Sequence, residues 1–450
     1  MLSNELLGLI LSFMTMKEAG ATSILSRRWK YLWTLMPRLD LDGAESLKRM
    51  MRKSQYEDSP YKEFVVDNER SDYIRWVDRV VAVCSTTSTT LEEFRVFFDL
   101  TTNHAKHIDE WLRFALSRKV QRLQLKLRNE FTSAYGKYYE CYNFPYKKGN
   151  FPNDFKFIKK LSTNCVNVSG EALELFLRNC PLLEQVSVSQ SSQLKALKII
   201  RTFPSFKCLE ISLCHNLRSV VIRDSNVMTI KYGGKRILDF QLMNVPLLTQ
   251  LWINGPLTDN MKHVVEMFSH VLPQLEMFKI YYMCKKLLWN ETKEFLSAVR
   301  MCNLKELVVN VWGLYDDRDS LLPLINLISA SPCLRRFVLE APDIQSEHEN
   351  NLFESCCAAR KILRHYPHLK EVEFVGYRGG SSHFELIMHF VENYVAPENI
   401  VVDPRCFELS LDHPWDRIFR PKNEEEMFAW SYAKKQLKEY VHPRINVKML

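Results

Sequence analysis

Leu248-Thr249-Gln250-Leu251-Trp252-Ile253 is one copy of a six-residue unit: apolar, two variable, apolar, variable, apolar. Downstream it returns as Leu275-Glu-Met-Phe278-Lys-Ile280, Leu304-Lys-Glu-Leu307-Val-Val309, Leu334-Arg-Arg-Phe337-Val-Leu339 and Leu369-Lys-Glu-Val372-Glu-Phe374. Upstream it appears as Leu91-Glu-Glu-Phe94-Arg-Val96, Val120-Gln-Arg-Leu123-Gln-Leu125, Leu183-Glu-Gln-Val186-Ser-Val188 and Phe206-Lys-Cys-Leu209-Glu-Ile211. The last two apolar positions alternate with a variable one, which predicts a half-buried strand in every copy. Ile158-Lys-Lys-Leu161 is a weaker copy with Thr163 in the last apolar place. Amphipathic helices are predicted before several copies, over His107–Leu116, Glu171–Cys180, Met261–Leu272, Thr292–Cys302, Leu321–Ser331 and Cys356–Tyr366.

Strand plus helix every ~25–35 residues is the signature of leucine-rich repeats, whose neighbours stack because no unit buries its face alone. Between residues 183 and 253 extra copies at Leu194–Ile199, Leu217–Ile222, Val227–Tyr232 and Ile237–Leu242 shorten the period. An extended segment there replaces the helix on the return. The expected fold class is α/β, a leucine-rich-repeat solenoid of horseshoe type behind a short helical N-terminus. In that N-terminus Leu6, Leu9, Ile10 and Phe13 fall on one helical face. Thr15-Met16-Lys17-Glu18 is a capping box that starts a second helix. Leu25, Trp29, Leu32, Trp33 and Met36 predict a third helix, limited by Pro37. Three short helices are too small a unit for a self-sufficient core.

The order Leu2…Glu5-Leu6-Leu7…Ile10-Leu11-Ser12…Leu25-Ser26-Arg27-Arg28-Trp29-Lys30…Leu32-Trp33 resembles an F-box, and Leu39-Asp40-Leu41-Asp42 resembles the segment after the F-box in plant members. The resemblance implies a helical hairpin that binds a Skp-type adaptor, and through it a cullin complex, with Leu2, Leu6, Leu9, Ile10, Leu25, Trp29, Leu32 and Trp33 as the adaptor-binding residues. Leu2-Ser3-Asn4 stands where the family has Leu-Pro-Asp, and Ser3 or Asn4 is expected to cap the first helix instead. That departure, with the short stretch before the motif, keeps a leucine-rich scaffold without adaptor binding as the alternative. Ala105–Leu125 and Val168–Glu184 resemble the leucine-rich region of plant F-box proteins, and His368–Pro404 is similar to their FBD-type module, especially in grasses. The expected division is residues 1–42 F-box, 43–72 a charge-rich linker, 73–366 the repeat array and 367–450 an FBD-type cap. Residues 135–152 read as an inserted loop and Phe428–Glu439 as a last helix.

Of 450 residues, 46% are apolar and 25% charged, which excludes a disordered chain. Thirteen Gly, about 3% against a usual ~7%, argue against glycine-loop folds, and no phosphate-loop, dinucleotide or nucleophile-elbow motif occurs. A net charge of +8 is a mild excess that does not identify a nucleic-acid binder. No apolar run reaches the ~20 residues of a membrane span. Leu6–Phe13 followed by Ala19-Gly20-Ala21 imitates a secretory signal, but its early charge, Glu5, is negative. Twelve scattered Cys without a C-x-x-C pair read as free thiols in a reducing compartment, hence nucleus or cytoplasm.

Three constellations contain chemically able residues. Cys84 with His104, His107 and Asp109 has cysteine-hydrolase types, but His107 and Asp109 open an amphipathic helix where acid is favoured. Cys356, Cys357, His365 and His368 fit no zinc spacing, and Asp316-Asp317-Arg318-Asp319 lacks the Gly and Glu of a calcium loop. No metal, cofactor or catalytic residue is expected. The basic and aromatic stretch around Tyr138–Lys160 leaves an RNA-binding solenoid as a minor alternative. The main expectation is a non-catalytic substrate receptor of an SCF-type ubiquitin ligase, its target protein held by outward strand residues: Gln250, Trp252, Lys279, Tyr281, Arg336, Glu371 and Glu373.

Overall fold

A computed structural model describes residues 3–55, 60–87, 90–127, 141–146, 154–234, 239–255, 261–283, 300–312, 321–322, 324–341, 366, 368–392, 398–405, 408–409, 415, 417–418, 424–441 and 445–450. It divides into two compact units, Met1–Val221 and Ile222–Leu450.

The first unit opens with helices α1 (Asn4–Leu11) and α2 (Met16–Ala21). The third predicted helix is instead two 3-10 segments, Thr22–Ile24 and Trp29–Leu35. Tight i→i+3 bonds such as Trp29 N–H to Ser26 O and Met36 N–H to Trp33 O set that winding. Helices α3 (Ala44–Gln55) and α4 (Pro60–Cys84) follow, so the stretch read as a 43–72 linker is helical in its described part, and α4 runs through the expected boundary. The reason is burial. Tyr73, Val77, Val80 and Cys84 form one buried face of α4. Arg70 brings a buried ion pair to Asp99, with Nη2–Oδ1 at 2.9 Å and Nε donating to the Asp99 carbonyl at 3.2 Å.

Six parallel strands then stack in order: β1 (Arg38–Asp42), β2 (Glu93–Phe98), β3 (Arg122–Leu127), β4 (Lys160–Asn164), β5 (Gln185–Ser189) and β6 (Cys208–Ser212). Each six-residue unit begins two residues ahead of its strand, and its first apolar residue is buried there, as at Leu91, Val120, Ile158, Leu183 and Phe206. The two inward strand positions, such as Phe94 and Val96 or Leu209 and Ile211, are buried as well. Each such side chain contributes roughly 1.5–3 kcal/mol of burial, a gain that only stacking realises. Thr163 fills the same inward place and is buried, its hydroxyl directed at the Ser187 carbonyl. Helices α5 (Ala105–Ser117) and α6 (Gly170–Asn179) follow β2 and β4 in the chain, and Phe114 of α5 meets the inward Phe94 at 6.2 Å between ring centroids.

The second unit stacks eight parallel strands: β7 (Thr229–Gly233), β8 (Gln250–Asn254), β9 (Met277–Met283), β10 (Glu306–Trp312), β11 (Arg336–Glu340), β12 (Glu371–Val375), β13 (Asn399–Asp403) and β14 (Asn446–Met449). The ladder thus continues to residue 449, and the segment expected as a separate cap supplies its last three strands. Its helices are α7 (Met261–Phe268), α8 (Leu324–Ser329), α9 (Ser381–Glu392) and α10 (Glu424–Tyr440). The shortened repeats do return by extended chain, at Ala196–Ile200, Ser219–Arg223 and Asp239–Met243. One residue at positive φ turns the chain after many strands. It is Cys165, Gln190 or Leu213 in the first unit and Gly255 or Gly376 in the second. At Gly255 (φ +106) an added Cβ would lie 2.4 Å from the Gly234 carbonyl oxygen, so only glycine fits. The predicted helices Thr292–Cys302 and Cys356–Tyr366, the loop over 135–152 and the Cys356/Cys357/His365 and Asp316–Asp319 clusters lie largely or wholly outside the described residues.

Candidate functional site

The N-terminal helices are built around a small interior and leave an apolar exterior. Ser3 caps α1, its hydroxyl accepting from Leu6 N–H at 3.3 Å. Asn4 is used elsewhere: its amide oxygen accepts from Arg28 Nε and Nη2 at 3.2 and 3.1 Å, tying the first turn of α1 to the start of the third segment. The capping box of α2 forms, with Glu18 Oε2 accepting from Thr15 N–H at 2.9 Å and Glu18 N–H donating to the Thr15 hydroxyl at 3.3 Å. These bonds hold the Glu18 carboxyl below its usual value. Gly8 lets α1 approach the 3-10 segment, since a Cβ there would meet Leu35 Cβ at 3.1 Å.

Leu7, Leu11, Met16, Ala19, Leu32 and Met36 fill the interior. Leu6, Leu9 and Ile10 remain about half exposed, Leu25 is 65% exposed, Phe13 86% and Ile24 88%. A group of apolar side chains left outside a fold marks an interaction surface. Of the sequence-predicted residues, Leu6, Leu9, Ile10 and Leu25 lie on this outside, and Trp29 and Trp33 are half-buried. Leu32 is a correction. At 3% exposure it packs inward and holds the hairpin together. Leu2 lies outside the described residues. Phe13 and Ile24 were missing from the expected set, although Phe13 shares the helical spacing of Leu6 and Leu9.

The outward strand positions divide differently. Gln250, Trp252, Arg336 and Glu371 are half-buried. Lys279, Tyr281 and Glu373 are buried, at 5%, 2% and 7% exposure, so they are not presented to a partner as expected. The cause is local charge pairing and an aromatic cover. Lys279 Nζ lies 3.5 Å from Glu340 Oε1, and Asn310 Nδ2 donates to Glu340 Oε2 at 2.8 Å. Arg336 donates to Glu306 at 2.6 Å and Glu371 at 2.8 Å, and also to Glu373. Burial opposes the Arg336 charge, but the carboxylates outweigh it and raise its pKa. The Trp415 ring lies over Tyr281 with centroids 6.4 Å apart. In the first unit the equivalent positions Arg95, Gln124, Ser162, Ser187 and Glu210 are half-buried and were not singled out in the sequence.

The residues of the cysteine-hydrolase type are committed to structure. Cys84 is buried, and burial pushes its thiol up to about 12. His107 Nδ1 lies 3.0 Å from Asp78, which also accepts from Trp111 Nε1 at 2.7 Å. Asp109 accepts from the Tyr142 hydroxyl, and His104 Nδ1 accepts from Thr101 N–H at 3.1 Å. Among the described residues no group of three metal-capable side chains gathers, and no helix is long and apolar enough to cross a membrane. Among the described residues Cys84, Cys141, Cys180, Cys214, Cys302 and Cys333 are free thiols.

Residues 1–41 match the sequence model of the F-box domain, and residues 152–449 match that of the leucine-rich-repeat domain described as At1g61320/AtMIF1, LRR domain. The chain belongs to the plant F-box/leucine-rich-repeat family. Among similar Arabidopsis thaliana proteins, F-box protein At3g03040 is 24% identical over 90% of this chain and 89% of its own length. FBD-associated F-box protein At5g60610 is 24% identical over 84% of the chain and 92% of its own length. Putative F-box/LRR-repeat protein At3g28410 is 25% identical over 41% of the chain, a stretch that spans 36% of that relative. The leucine-rich-repeat match encloses strands β12–β14, in agreement with a ladder that continues to the end of the second unit.

Proposed function

We propose that the chain is a substrate-recognition subunit of an SCF-type ubiquitin ligase. One observation carries this reading: the F-box unit leaves Leu6, Leu9, Ile10, Phe13, Ile24 and Leu25 outside its own core, in a chain whose residues 152–449 match a leucine-rich-repeat domain. A Skp-type adaptor that buries these side chains in a helical groove would link the chain to a cullin complex. The repeats then hold a target protein on the outward strand faces, where Gln250, Trp252, Arg336 and Glu371 are half-buried. The part played in catalysis is proximity, which raises the target's local concentration beside the transferring subunits, and the chain itself is non-catalytic. The buried free thiols Cys84, Cys180 and Cys214 fit work in the reducing nucleus or cytoplasm.

The test is co-purification with a Skp-type adaptor, comparing the unaltered chain with Leu9→Asp and with Leu25→Asp. Both substitutions alter exposed positions and leave the core intact. Binding by the unaltered chain and its loss in both variants supports the reading. No binding by the unaltered chain makes it a leucine-rich scaffold instead.

A further inference from the structure

We propose that the strand face of the second unit carries a binding site for a tryptophan side chain on an acidic peptide segment, and that Trp415 of this chain occupies it in cis. The proposal rests on the reading of strand faces as target-recognition surfaces. Trp415 is 5% exposed. Its ring meets Trp252 at 6.2 Å between centroids with planes 73° apart, and Tyr281 at 6.4 Å with planes 65° apart. Both are edge-to-face arrangements favoured by the ring quadrupoles. Gly233 forms the floor: a Cβ there would stand 3.1 Å from Trp415 Cη2.

The repeat does not demand this aromatic cluster. The core side of each strand is already filled by Ile230, Leu251, Ile253, Phe278 and Ile280, whereas Trp252 and Tyr281 project from the opposite side. Lys231 and Lys279 flank Trp252 in the strand register, with Nζ atoms 4.2 and 5.3 Å from its ring centroid. Lys279 is shared with Glu340, and a slot flanked by Lys231 and Lys279 suits an aromatic residue with carboxylate neighbours; Asp412 and Asp416 bracket Trp415 in the sequence. Trp252 Nε1 is buried and, among the described residues, has no hydrogen-bond partner. It supplies a donor for a peptide carbonyl or carboxylate. Among the described residues the strands on either side of Trp415 pair at Glu408–Leu409 and Arg417–Ile418. A competitor that offers the same ring then exchanges with Trp415 in the slot.

The experiment uses the full chain and a fluorescein-labelled peptide with the sequence of residues 404–418, read by fluorescence anisotropy. The Trp415→Ala chain is expected to bind the peptide saturably and at least tenfold more tightly than the unaltered chain. The Trp415→Phe chain, which keeps a ring in the slot, is expected between them. A peptide with alanine in place of its tryptophan should not bind. Equal binding by the Ala and unaltered chains, or no binding by either, overturns the proposal. Should Trp415→Ala fail to fold, Gly233→Ala fills the floor of the slot instead. Tryptic cleavage after Arg405 or Arg417 should then become at least tenfold faster with circular dichroism unchanged, and an unchanged rate overturns the proposal. Adaptor co-purification reads the other unit, so a failed peptide test with intact adaptor binding rejects this site alone.

Discussion

Removing the Arg70 guanidinium tests whether α4 belongs to the first repeat unit or is the linker its charged composition suggests. Arg70 and Asp99 side chains are 7% and 1% exposed and joined at 2.9 Å, with a second bond from Arg70 Nε to the Asp99 carbonyl. Arg70→Met keeps the length of the side chain but removes the guanidinium that faces the buried Asp99 carboxylate. Breaking one side of such a pair costs about 3–5 kcal/mol. The bond to Asp67 adds little, because that carboxylate is 67% exposed. With a urea slope of ~1–3 kcal/mol per molar, the unfolding midpoint of the first unit should fall by at least about 1 M. Arg70→Met with Asp99→Leu replaces both partners by apolar groups and should recover much of the loss. Arg75→Ala, which removes an exposed pair with Asp72, should move stability by less than ~0.5 kcal/mol. If Arg70→Met shifts the midpoint no more than Arg75→Ala, α4 is not integral to the unit and its burial account is wrong.

Leu11→Ala should destabilise the F-box unit by ~2–5 kcal/mol, whereas Phe13→Ala, at a side chain already in solvent, should stay within ~0.5 kcal/mol; urea unfolding of both distinguishes core from surface at the end of α1. Iodoacetamide at pH 8 should label the exposed Cys302 and Cys333 and spare Cys84, whose thiol burial has pushed up to about 12; mass spectrometry reads the sites. Glu18 is held below the usual carboxylate value of 4.5 by Thr15. Its contribution to the α2 cap is therefore present above about pH 4.5 and lost as pH falls through the lower folded value, and Glu18→Gln should flatten the acid limb of the unfolding curve.

The strand ladder was legible because its signal is local. Val186 and Val188 alternate with Gln185, Ser187 and Ser189 within five residues, and a two-residue period has one structural meaning there. Thr163 shows the limit of apolar counting, since a hydroxyl directed at a carbonyl fills a core place as a methyl would. Helix α4 was hidden for a compositional reason: its buried face of Tyr73, Val77, Val80 and Cys84 is interleaved with Arg75, Asp78 and Arg79, and it crosses the point where the charge-rich stretch was expected to end. The 3-10 winding of Trp29–Leu35 goes with a close approach to α1 at Gly8, a tertiary contact that residue spacing does not record. At the candidate site, the helical spacing of Leu6, Leu9, Ile10 and Phe13 located a face, but not which side was inward; Leu7 and Leu11 hold that role. The burial of Lys279, Tyr281 and Glu373 comes from Trp415 and from charge pairs on other strands, contacts that no local pattern records.

Hydrogen–deuterium exchange of the chain with and without a Skp-type adaptor tests the central claim most directly, because it reads where binding occurs as well as whether it does. Protection is predicted over residues 4–13 and 22–35, the segments that carry the exposed apolar side chains, with strands β7–β14 unchanged. Unchanged exchange over those two segments at saturating adaptor, or protection confined to the repeats, would contradict the account.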